Sequence, residues 1–584
     1  MKGVFHMKKL LFNLSKKKTI TITLACILSI CLIISIIIIG YTKYLESTMP
    51  VVSFSNIYDS ISETVADTSK SVSGAIQDIG YASEAALDSI MYNTKSSIVN
   101  KGMTSSNNCS EPHICIPPID TNIDPSKIYE NDFKDTKTFP LSTFSSDVDT
   151  ASYVTFRQLV TYGYTKERMN YETFRAEEFL NYFNYNYTNP KTGEMFGVTS
   201  EVGTCPWNKD HSLVRIGIKA SELTKSEEKP LNLVFLIDAS GSMCSEDKLP
   251  LLQASFKSLL TKLDANDTIS IVTYAGDSRV IIQGAKGNET KKLTAAIDSI
   301  TAEGNTNGSA GIQQAYSIAK KYYKASSNNR IMLATDGDLN VGLTSTDELG
   351  DFISKKKETG IYLSVLGFGA LGYNDSIMET LADKGNGNYS IIDSAKQAKK
   401  VLLDEFTGTI NTVATDVKFQ VAFDEKAISK YKLIGYENRQ LANKDFDNDK
   451  KDAGDVGAGQ TLTILYEIDS NKVNTAALSK AMTLNIRYKN NYTAKSTKVS
   501  YPINCLNQEI VSDDFMFVST IAELVMYLNE STYAKNTNLS TLYYQLMDLN
   551  LEDTEKLEFA ELLKNLESNN NHDLSYQYDI LPKN

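Results

Sequence analysis

At 584 residues the chain is too long for one hydrophobic core, and roughly two to four domains are expected. Apolar residues make up 42% and charged residues 22%, an ordinary globular balance. A formal net charge of −12 argues against an electrostatic nucleic-acid binder, so no nucleic-acid partner is expected.

The first 18 residues are basic, with Lys8, Lys9, Lys16, Lys17 and Lys18. Residues 19–41, TITITLACILSICLIISIIIIGY, carry no charge and are long enough to cross a ~30 Å hydrocarbon layer as a transmembrane helix. The lysines before this run predict a cytoplasmic N-terminus, with everything after Tyr41 outside the cell. A cleaved signal peptide and a lipid-modified Cys26 are the alternatives. Residues 42–139 read as a stalk and linker, helical or disordered in 60–99 and extended around the prolines of 111–135.

Folded sequence is expected from about residue 140. In the segment 140–229, DVDTASYVTFRQLVTYG (147–163) and NYETFRAEEFLNYFNYNY (170–187) have helical spacing, and Asp149 or Thr150 is placed to cap the first helix. Two strand-like runs follow, FGVTSEVGTC and SLVRIGIKAS, with Trp207 between them. Over 230–412 short apolar runs alternate with helical patterns. Strands are expected at 231–237, 268–274, 330–335, 361–369 and 388–393, with 279–283 as an antiparallel edge. Helices are expected at 248–263, 290–300, 309–324, 346–358, 374–384 and 394–407. This alternation predicts an α/β fold, a doubly wound and mostly parallel sheet covered on both faces. Residues 413–508 read as antiparallel strands, and 509–584 as helices ending in a loose tail from Asn569.

Seven cysteines do not make a disulfide scaffold at this length. Cys109 and Cys115 are close enough in sequence to pair outside the cell; Cys205, Cys244 and Cys505 are expected to be packed thiols.

The chemistry concentrates where the first strand of the alternating region, LNLVFLID, runs into ASGSM. Ligands of an open α/β sheet gather beyond the carboxyl ends of its strands, where strand order reverses. Asp238, Ser240 and Ser242 fall on that rim at alternate positions of a glycine-containing loop. Thr306, in EGNTNGSAGI, and Asp336, in DGDLNVG, fall in loops on the same rim. Oxygen donors of this kind suit a hard cation, Mg²⁺ or Mn²⁺, with Ca²⁺ as an alternative. Helix capping by Asp238, Ser240 and Ser242 is the plain alternative.

D-x-S-x-S, a threonine loop and a T-D-G loop, in this order on this fold, resemble the von Willebrand factor type A domain and its metal-ion-dependent adhesion site. The resemblance puts the five site positions on Asp238, Ser240, Ser242, Thr306 and Asp336. FSSDVDTASYVTFRQLV, FRAEEFLNYFNY, CPWNKDHSLVRIGIKA and GYENRQLANKDFDNDKKDAGDVGAGQTLTILYEI further resemble a bacterial subfamily. In that subfamily the A domain lies between a characteristic N-terminal segment and a C-terminal extension. Many of its members are lipid-anchored, whereas this chain has its apolar run at 19–41.

The apolar run 19–41 and the resemblance together imply a membrane-anchored surface protein with a metal-dependent protein-binding domain. Its divalent metal would take a carboxylate from the Asp or Glu of a protein partner. An envelope-assembly or sensing scaffold, with a sliding last helix near 394–407, is the alternative, followed by a metal-dependent hydrolase. No enzyme activity and no small-molecule substrate are expected. Three of the four histidines, His6, His113 and His572, lie in the basic segment, the linker and the tail, and no H-E-x-x-H or G-x-S-x-G occurs. Asp445, Asp447 and Asp449 alternate as in calcium loops, but Lys450 and Val456 break the EF-hand pattern, leaving an acidic surface turn as the expectation.

Overall fold

The structure is a computed structural model that describes residues 130–579, apart from 147, 170–173, 276, 304–307, 338–345, 370–374, 452, 471–474 and 491–493. The apolar run 19–41 and the pair Cys109 and Cys115 lie outside the described residues, within which no helix is long and apolar enough to cross a membrane.

Four strands precede the central region: β1 (Lys134–Asp135), β2 (Leu141–Ser145), β3 (Phe196–Cys205) and β4 (Asn208–Ala220). The central sheet holds β5 (Leu231–Asp238), β6 (Thr268–Tyr274), β7 (Ser278–Lys286), β8 (Asn328–Thr335), β9 (Tyr362–Phe368) and β10 (Tyr389–Ile392). Six more follow: β11 (Thr412–Phe423), β12 (Ile428–Ile434), β13 (Gly454–Gly457), β14 (Thr461–Ser470), β15 (Met482–Lys489) and β16 (Thr497–Ile503).

The central sheet runs β10-β9-β8-β5-β6-β7, parallel except for β7, which is antiparallel to β6 at the edge. All eight residues of β5 are buried, as expected of a parallel strand covered on both faces. Phe235 of β5 stacks on Phe256 of the helix Leu249–Leu259, with ring centroids 4.3 Å apart. Pro250 sits in the first turn of that helix, where its missing N–H leaves no intrahelical bond unmade. Strand order reverses between β5 and β8, so the carboxyl ends of these two strands form the crevice in which ligands of this architecture bind.

The two flanking segments are joined by hydrogen bonding although the central domain separates them in sequence. β4 pairs with β14 from Ser212 opposite Ile468 to Lys219 opposite Thr461. One sheet is therefore β1-β12-β14-β4-β3. In the other, β11 pairs with β15 on one edge and with β2 and β13 on the opposite edge, and β15 pairs with β16. Phe144, Ile216, Ile218, Phe419, Val421, Ile464 and Leu484 belong to the apolar core formed from these strands. Order also begins earlier than the expected linker boundary: β1 pairs with β12, and Thr136 is fully buried.

Helices from both flanks share a further core. Phe183 meets Phe517 at 5.0 Å and Phe559 at 5.6 Å, ring edge to ring face. The helix Ala151–Thr161 begins differently from the expected capping. Thr150 makes no side-chain cap, the Ser152 N–H is accepted by the Glu178 carboxylate at 2.7 Å, and Asp149 Oδ1 takes the Tyr389 N–H of β10. Asp147 lies outside the described residues. The final helix also exceeds expectation, running from Thr554 to Asp579. Asn569, expected to start a loose tail, instead donates to the Val160 and Tyr164 carbonyls at the end of the helix Ala151–Thr161.

The last helix of the central domain is broken into an α turn (Ala395–Lys399), a π turn (Lys400–Asp404) and a further α turn (Phe406–Ile410). Both flanks hold it. Arg157 binds the Asp393 carboxylate in bidentate fashion at 2.6 and 3.1 Å, while Lys400 pairs with Glu555 at 3.1 Å and Lys396 with Glu558. Side-chain exposures of 6% and 11% make Arg157–Asp393 a buried pair, and removing one partner of such a pair strands the other charge. Replacement of Arg157 by Met should therefore lower unfolding stability by about 3–5 kcal/mol in urea titrations. Replacement of Lys257, in the exposed pair with Asp298, should change it by less than about 1 kcal/mol. Equal effects of the two substitutions would contradict this ranking.

Candidate functional site

Asp238 ends β5 and is fully buried. Its Oδ1 accepts the Ser240 N–H at 2.9 Å. Its Oδ2 accepts hydroxyl hydrogens from Thr335 at 3.1 Å and Tyr274 at 3.2 Å. Burial pushes the Asp238 carboxyl above its ordinary value, opposed by the hydrogen bonds from Ser240 and reinforced by the charge of Asp336. Burial also raises the Tyr274 phenol, and the Asp238 charge adds to that, so the phenol stays protonated and donates.

The loop after β5 turns Ser240 and Ser242 toward each other, with their hydroxyl oxygens 2.9 Å apart. Asp336 follows β8 directly, and only 2% of its side chain is exposed. Its Oδ2 accepts a hydrogen bond from the Lys248 ammonium at 2.9 Å, and the same ammonium donates to the Ser242 carbonyl at 3.0 Å. Four of the five expected residues, Asp238, Ser240, Ser242 and Asp336, thus lie on the carboxyl rim of β5 and β8. Thr306 lies outside the described residues. Glu303, the last described residue before it, bonds through its N–H to the Ala239 carbonyl of this rim at 2.8 Å. The following helix, Gly308–Lys321, is drawn onto Tyr274 through Gly311, where a Cβ would lie 2.7 Å from the Tyr274 Cβ.

The donor set fits a hard divalent cation. It consists of hydroxyls and carboxylates only, and two carboxylates formally balance a charge of +2. Ser240, Ser242 and Asp336 are the described groups that would hold the ion, with Asp238 orienting the loop behind them. Among the described residues no group of three or more His, Cys, Asp or Glu is placed to hold a metal.

The remaining candidates divide. Cys205 and Cys505 are buried thiols as expected, whereas Cys244 is exposed, because its short 3₁₀ turn (Gly241–Cys244) buries Met243 and turns the cysteine outward. Asp447 and Asp449 both pair with Arg487, and Asp449 also accepts the Ser496 hydroxyl, which together with Arg487 holds its carboxyl down at about 2. Tyr274, Thr335, Lys248 and Gln158 were not foreseen. Gln158 brings the N-terminal flank to the rim by donating to the Gly369 carbonyl at 3.1 Å.

Three family models match the chain: von Willebrand factor over 122–215, von Willebrand factor type A domain over 232–404, and Uncharacterized protein YfbK, C-terminal, over 408–569. The chain is 38% identical over 462 residues to Uncharacterized protein YfbK of Escherichia coli strain K12, covering 74% of this chain and 79% of that protein. The chain belongs to the YfbK family. This YfbK-family chain is also 26% identical over 267 residues to inter-alpha-trypsin inhibitor heavy chain H3 of Mesocricetus auratus, spanning 42% of this chain and 30% of that one. Among solved structures it is similar to the von Willebrand factor type A protein from Catenulispora acidiphila, at 16% identity and a TM-score of 0.38, with coverage of 64% and 91%. The expected order of an N-terminal segment, an A domain and a C-terminal extension agrees with the three matched spans.

A ligand that binds the folded chain but not the unfolded one raises its stability, by about 2.7 kcal/mol at a hundredfold excess over Kd. Saturating Mn²⁺ should accordingly raise the melting temperature of the full-length chain by several degrees over EDTA, and should leave that of Asp336→Ala unmoved. The same rise in both proteins would detach the metal from this site.

Proposed function

We propose that this YfbK-family protein is a membrane-anchored surface protein that binds a protein partner. The carboxylate of an Asp or Glu on that partner would complete the coordination of a divalent cation, Mg²⁺ or Mn²⁺. The single observation that carries the reading is the convergence of Asp238, Ser240, Ser242 and Asp336 at the crest where strand order reverses. With Asp238 set behind the loop, two hydroxyls and one carboxylate would leave a bound divalent ion incompletely neutralised, and so attractive to an anionic side chain.

The protein is proposed to act by binding rather than catalysis. Both carboxylates of the site are engaged, Asp238 by three donors and Asp336 by Lys248, which leaves neither as an obvious general base. Anchoring is assigned to residues 19–41, with the basic N-terminus in the cytoplasm and the folded region outside.

A second reading, a scaffold with a conformational switch, draws support from the last helix of the central domain. Its π turn and its ion pairs to both flanks would carry a shift of that helix into the flanking layers. Hydrogen exchange over 395–410 should change on adding Mn²⁺ and an acidic partner under this reading; unchanged exchange would leave a rigid binder.

The binding reading is tested with the full-length chain immobilised against envelope extract. Proteins retained in Mg²⁺ or Mn²⁺ should be released by EDTA and should not be retained by the Ser240→Ala/Ser242→Ala variant. Retention indifferent to both treatments would remove the metal from the contact.

A further inference from the structure

The Lys248 ammonium is held on the crest by more than its ion pair. It donates to Asp336 Oδ2 at 2.9 Å and to the Ser242 carbonyl at 3.0 Å, so it touches both loops that carry the donor set. Its aliphatic stem lies against Gly369, which has a φ of +106°, and a Cβ at that position would sit 2.9 Å from both Cγ and Cε of the lysine. Gln158 fixes the same glycine from the N-terminal flank. The lysine side chain is 23% exposed, against 2% for Asp336.

We propose that Lys248 is a built-in competitor of the divalent cation for Asp336, and that its ammonium sets the metal concentration at which the site fills. The proposal rests on the reading of this crest as a metal site. A buried carboxylate needs a positive partner, and the tethered ammonium supplies one. A divalent ion approaching Asp336 meets a second cation already on that carboxylate, and like charges at such separations repel. The lysine can yield, because its stem is flexible, its charge is strongly hydrated and part of it already faces solvent. An arginine would hold the carboxylate through a planar fork and yield less readily. Lys248 therefore lowers metal affinity while keeping the crest intact in the absence of metal.

The test is a titration of the full-length chain with Mn²⁺ alone, following free Mn²⁺ by electron paramagnetic resonance, on wild type, Lys248→Met and Lys248→Arg. Melting temperatures in EDTA are recorded beside it. Lys248→Met should bind Mn²⁺ about fivefold more tightly, the upper scale of one partly exposed ion pair. It should also melt lower than wild type in EDTA, and Lys248→Arg should bind no more tightly than wild type. Lys248→Gln serves in place of the methionine variant if that protein does not fold. Unchanged or weaker binding by the neutral variants, with wild type still binding, would overturn the competition while leaving the metal site intact. Weaker binding would mark Lys248 as a group that merely positions Asp336. Absence of Mn²⁺ binding in every protein would overturn both the competition and the site.

Discussion

A carboxylate at the end of a fully buried strand is the constraint around which the central domain is arranged. Asp238 sits where the apolar run of β5 meets the crest, and an ionised group there is costly without partners. The surroundings supply three hydrogen bonds, from the Ser240 backbone, the Thr335 hydroxyl and the Tyr274 phenol. Each comes from a different strand or loop. Pairing of β5 with β6 and β8 is therefore what satisfies the charge, and satisfying the charge fixes the loop that turns Ser240 and Ser242 onto the rim. Asp336 adds a second negative charge close by, and Lys248 answers it.

The flanks bear on this crest without being part of the central sheet. The helix Ala151–Thr161 packs against the edge strand β10, tied to it at its start through Asp149 and at its far end through Arg157 and Asp393. Edge strands invite unwanted pairing, and a covering helix closes that edge. Its Gln158 then reaches the Gly369 carbonyl beside Lys248. Because β4 and β14 share a sheet, the N-terminal flank depends on the C-terminal flank for its own stability. The chain leaves this layered flank at β4, builds the central domain and re-enters it at β11. The last helix of the central domain is held at that return by charges on both sides.

Much of the central domain was legible in the sequence because its signals are local. LNLVFLID is a continuous apolar run of strand length, and D-x-S-x-S follows it without a break. Asp336 follows β8, which ends at Thr335, in the same manner. The flanks were less legible because their decisive contacts are remote. Neither β4 nor β14 carries a mark of its partner, since alternation says which face is buried and not which strand lies beside it. Glu178 as acceptor of the Ser152 N–H and Asn569 as a donor to the Val160 carbonyl are tertiary arrangements invisible to capping rules. Lys248 merely opens the helix expected at 248–263, and nothing in the sequence ties it to Asp336. Only the folding of β8 beside β5 brings Asp336 within 2.9 Å of it.

The central claim is that the crest between β5 and β8 is a cation site built from serine hydroxyls and two aspartates. The most direct measurement is the anomalous scattering of crystals grown in Mn²⁺. The account predicts an anomalous peak bonded to the hydroxyl oxygens of Ser240 and Ser242, at roughly the 2.0–2.3 Å expected of a small hard cation. A crest without such a peak in saturating Mn²⁺, or a peak held only by other residues, would contradict it.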